Sequence, residues 1–373
     1  MTTGLPAAIG MRIEDLDTPC LVVDLDAFER NVAALGRFIK ERGVRLRAHA
    51  KTHKSSDIAA IQIEKGGACG MCCQKVSEAE ALVEGGVRDV LVSNEVVAPR
   101  MIDRLAALAR RARILVCVDD LDNVGHLSAA AQKHGATIEC LVEIDVGAGR
   151  CGVTPGAAAV QIAKRIAAAP GLKFAGLQAY QGSAQHVRDF TERNRLIGEA
   201  VKATAHTVAL LKAEGLDCDI VGGAGTGTYR FEGTSGVYNE LQCGSYIFMD
   251  AAYRRIDDEA GQPVREFENS LFVYSSVMSK TRPGRAICDA GLKALSVDSG
   301  MPTIQGRADM EFLKCSDEHG VISDPANALK LNDRVMLIPG HCDPTVNLHD
   351  WYIGIRNGRV ETVWPVVARG KLV

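Results

Sequence analysis

Between residue 44 and about residue 250 the sequence alternates short apolar, β-rich runs with longer amphipathic stretches of Ala, Leu, Glu and Lys. This repetition constrains the fold more than any single motif. Eight apolar runs stand at residues 44–50, 69–74, 89–94, 114–119, 139–145, 174–180, 218–222 and 240–249. Helix-like intervals such as 77–84, 121–134 and 188–214 separate most of them, and the interval before the last run is short and irregular. Eight parallel strands with covering helices predict a closed (β/α)8 TIM barrel, whose functional loops leave the C-terminal strand ends. Polar and glycine-rich clusters do follow the runs rather than precede them: AKTHK, CCQKVSE, SNEVV, DVGAGRCG, QAYQGSAQH, GGAGTGT and QCGSY. A doubly wound open sheet is the competing architecture, and it does not require seven decorated strand ends.

After about residue 265 the texture changes to short alternating runs at 270–279, 286–289, 312–315, 333–338, 351–356 and 359–365, which predict a C-terminal β-domain. Residues 255–267 read as the linker. The expected division is a barrel over residues 20–258 and a second domain built from 1–19 and 259–373. A chain of 373 residues that is 47% hydrophobic can bury cores for both. A net charge of −3 without an extended Lys/Arg tract argues against nucleic acid as a partner, and no membrane span is visible. The N-terminal MTTGLPAAIGMRIEDLDTP lacks a basic, then apolar, leader, so a cytoplasmic location is expected. Most of the twelve cysteines, such as Cys117, Cys140 and Cys288, lie in apolar runs without paired C-x-x-C spacing. They read as free, buried thiols in a reducing compartment.

The run RAHAKTHK, residues 47–54, ends the first strand with a basic, histidine-rich cluster. Lys51 is the candidate carbonyl-capturing amine, because an amine desolvated beside other cations loses proton affinity and becomes nucleophilic. Lys54 is the rival, and a solvated basic face is the plainer alternative. Gly225–Thr226, within GGAGTG, and Gly244–Ser245 follow the seventh and eighth strands, where barrels commonly bind phosphate. Their backbone amides and hydroxyls are suitable donors, although a tight turn alone would also use such glycines. In a closed barrel the eighth strand neighbours the first, so the lysine and the phosphate cup would share one mouth. That pairing suits pyridoxal 5'-phosphate. Downstream, PGHCDPTVNLHD places His341 and Asp343 two residues apart after an apolar run. On an extended segment both would face one side and Cys342 the other, giving an imidazole and a carboxylate for Mn²⁺, Mg²⁺ or Co²⁺. The alternative is a turn in which Asp343 caps the backbone before Pro344.

Taken together, DTPCLVVDL, HAKTHK, CCQKVSEAE, VEIDVGAGRCGV, LQAYQGSAQH, GAGTGTY, YNELQCGSY, DAGLKA, SDEHG and PGHCDPTVNLHD span nearly the whole chain. They resemble the fold-type III pyridoxal-phosphate enzymes of the D-threonine aldolase, 3-hydroxy-D-aspartate aldolase and D-serine dehydratase group, whose barrel is alanine racemase N-terminal-like. The resemblance implies Lys51 as the Schiff-base lysine and Gly225, Thr226, Gly244 and Ser245 as the phosphate cup. Arg150 and Tyr180 would hold the phenolic oxygen and pyridine nitrogen of the cofactor, in an order left open. His341 and Asp343 would bind the divalent metal, with Mn²⁺ first in expectation; the dehydratases carry cysteine at the second position, so Asp343 favours the aldolases. His186 would take the proton of the substrate hydroxyl as the Cα–Cβ bond of a D-3-hydroxy amino acid breaks, giving glycine and an aldehyde. D-threonine and 3-hydroxy-D-aspartate both remain open as substrates, with Arg188 or Arg230 as the cation for a second carboxylate. Competing readings are a dehydratase using the same site, a metal-free racemase and a pyridoxal-phosphate carrier. Relatives of this type are homodimers, and a homodimer is the expectation.

Overall fold

Eight parallel strands close into a barrel in the computed structural model, which describes residues 4–373. Residues 1–3 of the expected N-terminal segment lie outside the described residues. Before the barrel comes β1, Cys20–Asp24. The barrel strands are β2 (Arg45–His49), β3 (Gly70–Cys73), β4 (Asp89–Glu95), β5 (Arg113–Val118), β6 (Ile138–Glu143), β7 (Leu172–Gln178), β8 (Ile220–Gly223) and β9 (Glu240–Leu241). Each joins its neighbour in parallel register, and β9 closes on β2 through Glu240 opposite Arg45 and Leu46 opposite Leu241.

The helices between strands start and stop where capping chemistry dictates. Asp24 accepts a bond from Ala27 N at 3.0 Å to open the helix Leu25–Arg42, and Gly43 ends it at φ 66°, a left-handed conformation that costs glycine little. Asp189 does the same for Phe190–Ala213 through Glu192 N at 2.7 Å. The outer faces of the strands pack on these helices. The barrel interior is filled by Cys72, Leu91, Leu115, Cys117, Leu141, Ala175 and Ile220. All twelve cysteines are free, and Cys117, Cys140 and Cys288 are buried, as their apolar surroundings predicted.

The last barrel strand departs from expectation. Of residues 240–249 only Glu240–Leu241 is extended, and Ser245–Ile247 forms a 3-10 turn. The cause lies at Gly244, where a Cβ would come within 2.5 Å of Thr52 Oγ1 and 2.9 Å of the His49 carbonyl. The chain folds inward across the mouth there instead of continuing outward as a strand.

The second sheet is mainly antiparallel. It contains β10 (Leu271–Arg282), β11 (Arg285–Cys288), β12 (Thr303–Ile304), β13 (Glu311–Cys315), β14 (Gly320–Ser323), β15 (Arg334–Ile338), β16 (Trp351–Arg356) and β17 (Arg359–Pro365). Its principal order is β13-β14-β11-β10-β1-β16-β17, with β15 on β10 and β12. The expected boundary at residue 20 is therefore corrected: β1 lies in this sheet, antiparallel to β10 and parallel to β16. Its burial on Val22 and Leu21 requires neighbours on both sides, which only the distant C-terminal strands supply. β12 and β14 were not expected, being short and flanked by polar residues. The bonds that attach this domain to the barrel mouth include Tyr352 OH to His53 O at 2.6 Å, Ala368 N to Lys54 O at 3.0 Å and Cys342 N to Asp250 Oδ2 at 3.2 Å. Among the described residues no helix is long and apolar enough to cross a membrane.

Candidate active site

The C-terminal strand ends surround a cavity of about 270 Å³. Seven residues singled out from the sequence line it: Lys51, Arg150, Tyr180, Gly225, Thr226, Gly244 and Ser245. Its floor is the buried amide pair Gln178 and Gln242, which exchange bonds of 2.8 and 2.7 Å. One wall is His49, whose Nε2 meets Gln74 at 2.9 Å and Ser93 Oγ at 3.2 Å. Burial, assisted by the Lys51 charge, holds His49 well below the ordinary histidine range, so this wall is neutral.

The two lysines differ in their partners. Lys54 stands at φ 52° and its ammonium is paired with Glu78 in a buried contact, which makes it structural. Lys51 turns into the cavity, where it pairs with Asp343. This contact corrects one premise. Burial does pull the Lys51 pKa down, but Asp343, by charge and hydrogen bond, reverses the outcome and raises it. A carboxylate 292 positions away cannot be inferred from the basic run itself.

The glycine cup is shaped by Gln185. Its Oε1 accepts from Gly227 N at 3.2 Å and its Nε2 donates to Thr228 Oγ1 at 2.8 Å. A Cβ on Gly225 would lie 2.4 Å from Gln185 Oε1, so only glycine permits this approach. The Thr226 hydroxyl is buried without a partner. Likewise, the backbone amides of Thr226 and Ser245 make no bond among the described residues. These donors, facing the cavity that holds the Lys51 amine, fit the phosphate of pyridoxal phosphate. Arg150 stacks over the Tyr180 ring at 5.7 Å and lies 3.7 Å from Glu143. Burial and the neighbouring Glu95 push the Glu143 carboxyl up.

His341 and Asp343 do not lie on an extended segment together, contrary to expectation. His341 is extended, at φ −147° and ψ 125°, and caps the short helix Cys342–Val346 that carries Asp343 in its first turn. The buried Asp250 makes this turn, because its carboxylate accepts from both Cys342 N and Tyr253 N. Cys342 is directed inward, its thiol 3.3 Å from the Met249 carbonyl. Burial favours the neutral form of Asp343, but Lys51 and His341 outweigh it and hold the pKa near its lower limit, at about 2. Its Oδ1 is buried with no partner. The Nδ1 of His341 contacts Asp298 Oδ2 at 2.8 Å, which leaves Nε2 for a ligand. An imidazole and an ionised carboxylate with one orphaned oxygen fit a divalent ion whose other positions are open. Among the described residues no group of three or more His, Cys, Asp or Glu could hold a metal alone.

His186 is outside the lysine cavity. It stacks on Tyr253, which lines that cavity, with ring centroids 4.5 Å apart, and faces an adjoining cleft. Burial, then the charges of His341, Lys51 and Arg255, lower its pKa. Arg188 pairs with Asp257 at 3.1 Å, and Arg230 pairs with Glu266 at 2.5 Å. Each therefore already has a carboxylate partner, and Arg188 lines the cleft that His186 faces. Sequence reasoning missed Asp298, Asp250 and Gln185, because each acts through a residue far along the chain; Gln185 stands within LQAYQGSAQH, but nothing local marks it as the partner of Gly227 and Thr228.

Comparison with known proteins agrees in extent and kind. Residues 23–252 match the alanine racemase N-terminal domain, and residues 270–355 match a serine dehydratase domain. The chain is 56% identical to a 3-hydroxy-D-aspartate aldolase of Paracoccus denitrificans (strain Pd 1222), over 98% of this chain and 96% of that one. It is 46% identical to a D-threonine aldolase of Arthrobacter sp, over 98% and 96%. The crystal structure of D-threonine aldolase from Filomicrobium marinum superposes with a TM-score of 0.96 at 48% identity, covering 99% of this chain and all of the other.

Proposed function

This chain belongs to the family of 3-hydroxy-D-aspartate and D-threonine aldolases built on the alanine racemase-type barrel, and from that membership we propose that it cleaves D-configured 3-hydroxy amino acids to glycine and an aldehyde. It is a carbon–carbon lyase. Pyridoxal phosphate, when bound, supplies an electron sink for the pair of electrons released at Cα. Lys51 holds its aldehyde, and the amides and hydroxyls of Gly225, Thr226, Gly244 and Ser245 hold its phosphate. Arg150 and Tyr180 orient the ring.

His341 and Asp343 supply the nitrogen and oxygen for a divalent ion, Mn²⁺ in the first instance and Mg²⁺ or Co²⁺ as alternatives. His186 accepts the proton of the substrate hydroxyl. Its lowered pKa favours the neutral ring, which has a nitrogen lone pair able to accept that proton. The working form is proposed to be a homodimer in the cytoplasm.

The observation that carries this reading is the Lys51–Asp343 pair. It joins the amine of the first barrel loop to the carboxylate of the second domain beside the phosphate cup, so the carbonyl-binding and hydroxyl-binding ends of one small substrate are adjacent. The test is to incubate the protein, loaded with pyridoxal phosphate and Mn²⁺, with D-threonine and D-3-hydroxyaspartate while following glycine, aldehyde and ammonia. Glycine and aldehyde in equal amounts are expected. Ammonia without glycine overturns the aldolase assignment, and a Lys51→Ala variant that retains the Schiff-base absorbance moves that role to Lys54.

A further inference from the structure

We propose that Arg255 receives the second carboxylate of the substrate, which makes the preferred substrate class the D-3-hydroxy dicarboxylic amino acids, cleaved to glycine and a 2-oxo acid. This rests on the aldolase reading and deepens it.

Arg255 is joined to the corner of His341 and Asp343 through Ser299. The Nδ1 of His341 lies 3.5 Å from Ser299 Oγ, and the carbonyl of the same Ser299 accepts from Arg255 Nη2 at 2.6 Å. The Nε of Arg255 donates to Ala251 O at 3.1 Å. Two backbone carbonyls therefore fix the guanidinium plane, and no carboxylate among the described residues pairs with it. Arg188, which lines the same cleft, and Arg230 differ from Arg255 in having carboxylate partners, Asp257 and Glu266.

The registration between Arg255 and His341 is rigid. Ala251 N and Ala252 N donate to Pro339 O at 3.0 Å and Gly340 O at 3.3 Å, immediately before His341. At Gly340 a Cβ would lie 2.0 Å from the Gly300 carbonyl, so the loops carrying Ser299 and His341 are pressed together. Gly300, at φ 113°, leaves room for the guanidinium where a Cβ would approach its nitrogens at 3.1 and 3.2 Å.

Arg255 and His186 share a cleft of about 620 Å³ beside the lysine cavity. When the substrate hydroxyl lies at His341 and Asp343, the other heavy substituent on the same β-carbon lies about 2.5 Å from that oxygen by covalent geometry. That keeps it at the corner to which Arg255 is joined through Ser299. A methyl group there leaves the guanidinium to water, whereas a carboxylate gains a charge-assisted pair with it. Asp298, the nearby acid, is engaged by His341, Ser296 and Ser299 at 2.8, 2.7 and 3.0 Å. Without Arg255 it would repel a second carboxylate.

The test compares the protein with Arg255→Ala and Arg255→Lys, each loaded with pyridoxal phosphate and Mn²⁺. The ratio of kcat/KM for D-3-hydroxyaspartate to that for D-threonine is expected to fall roughly 10- to 100-fold in Arg255→Ala, in line with loss of a charged hydrogen bond. Arg255→Lys recovers part of it, because the charge remains but the planar fork does not. In parallel, inhibition by D-aspartate is compared with inhibition by D-2-aminobutyrate. Neither carries the hydroxyl, so this readout is independent of which bond the protein breaks. Arg255→Ala weakens D-aspartate selectively. A ratio unchanged within about threefold, or an equal loss on both members of each pair, overturns the proposal. Ammonia as the product would sink the aldolase reading while leaving the D-aspartate comparison to judge Arg255.

Discussion

Glu240 offers a severe test of how the barrel is closed, because β9 has only two residues to complete the ring. Its carboxylate, fully buried, accepts from Arg47 Nε at 2.7 Å and Nη2 at 3.3 Å, and from Arg45 Nε at 3.1 Å. Arg47 is itself only 1% exposed, so Glu240→Ala leaves a buried guanidinium with Asp89 as its remaining acid. The two charged hydrogen bonds to the buried Arg47, at about 1.5–3 kcal/mol each, give roughly 3–6 kcal/mol, and the third, to the part-exposed Arg45, adds less. Removing one partner of a buried pair typically costs about 3–5 kcal/mol, which agrees. Against a usual stability of about 5–15 kcal/mol the variant should be severely weakened. It should also lose cofactor affinity, since Gly244 and Ser245 follow directly from the damaged strand.

The assay is urea unfolding followed by far-UV circular dichroism, for Glu240→Ala, Arg47→Met and the double variant Arg47→Met/Glu240→Leu. The double variant should recover more than half of the loss, because it buries no unpaired charge and Asp89 keeps Arg113 at 3.0 Å. A Glu240→Ala loss below about 1 kcal/mol, or a double variant that loses the sum of the singles, would refute the reasoning.

Two further outcomes follow from the geometry. Asp298→Ala frees the His341 ring, and Mn²⁺ affinity measured by calorimetry should weaken roughly 10- to 100-fold, as for other carboxylate–histidine–metal arrangements; unchanged affinity removes Asp298 from that role. His53 is buried, and burial lowers its pKa to about 3. The unfolded chain therefore takes up a proton below about pH 6.5 that the folded chain refuses, so stability is full above pH 6.5 and falls as pH drops toward 3. Between pH 6.5 and 5 the loss from this group is about 2 kcal/mol. His53→Asn, which keeps an acceptor for Ser55 N, should flatten that part of the profile, and an unaltered slope assigns it to other groups.

The sequence by itself determined the architecture and most of the lining of the cavity at the barrel mouth. Strand–helix alternation is a local consequence of hydrophobic period, and closure of eight parallel strands then forces the first, seventh and eighth loops together. Lys51, Thr226 and Ser245 were legible because their positions follow from strand order alone. The tertiary structure decided everything that depends on contacts between distant segments. It gave Lys54 to Glu78 and Lys51 to Asp343, raising the Lys51 proton affinity where the basic run had suggested lowering it. It brought Asp343 to Lys51 on a helix made by Asp250 rather than along a strand, placed β1 in the second sheet and set His186 beside the cavity instead of in it. It also left Arg255, absent from every motif, as the cation without an acid beside His341. Periodicity encodes which face of an element is buried, but ion pairing depends on which charges folding brings within a few ångströms, and that distance is not written in the local sequence.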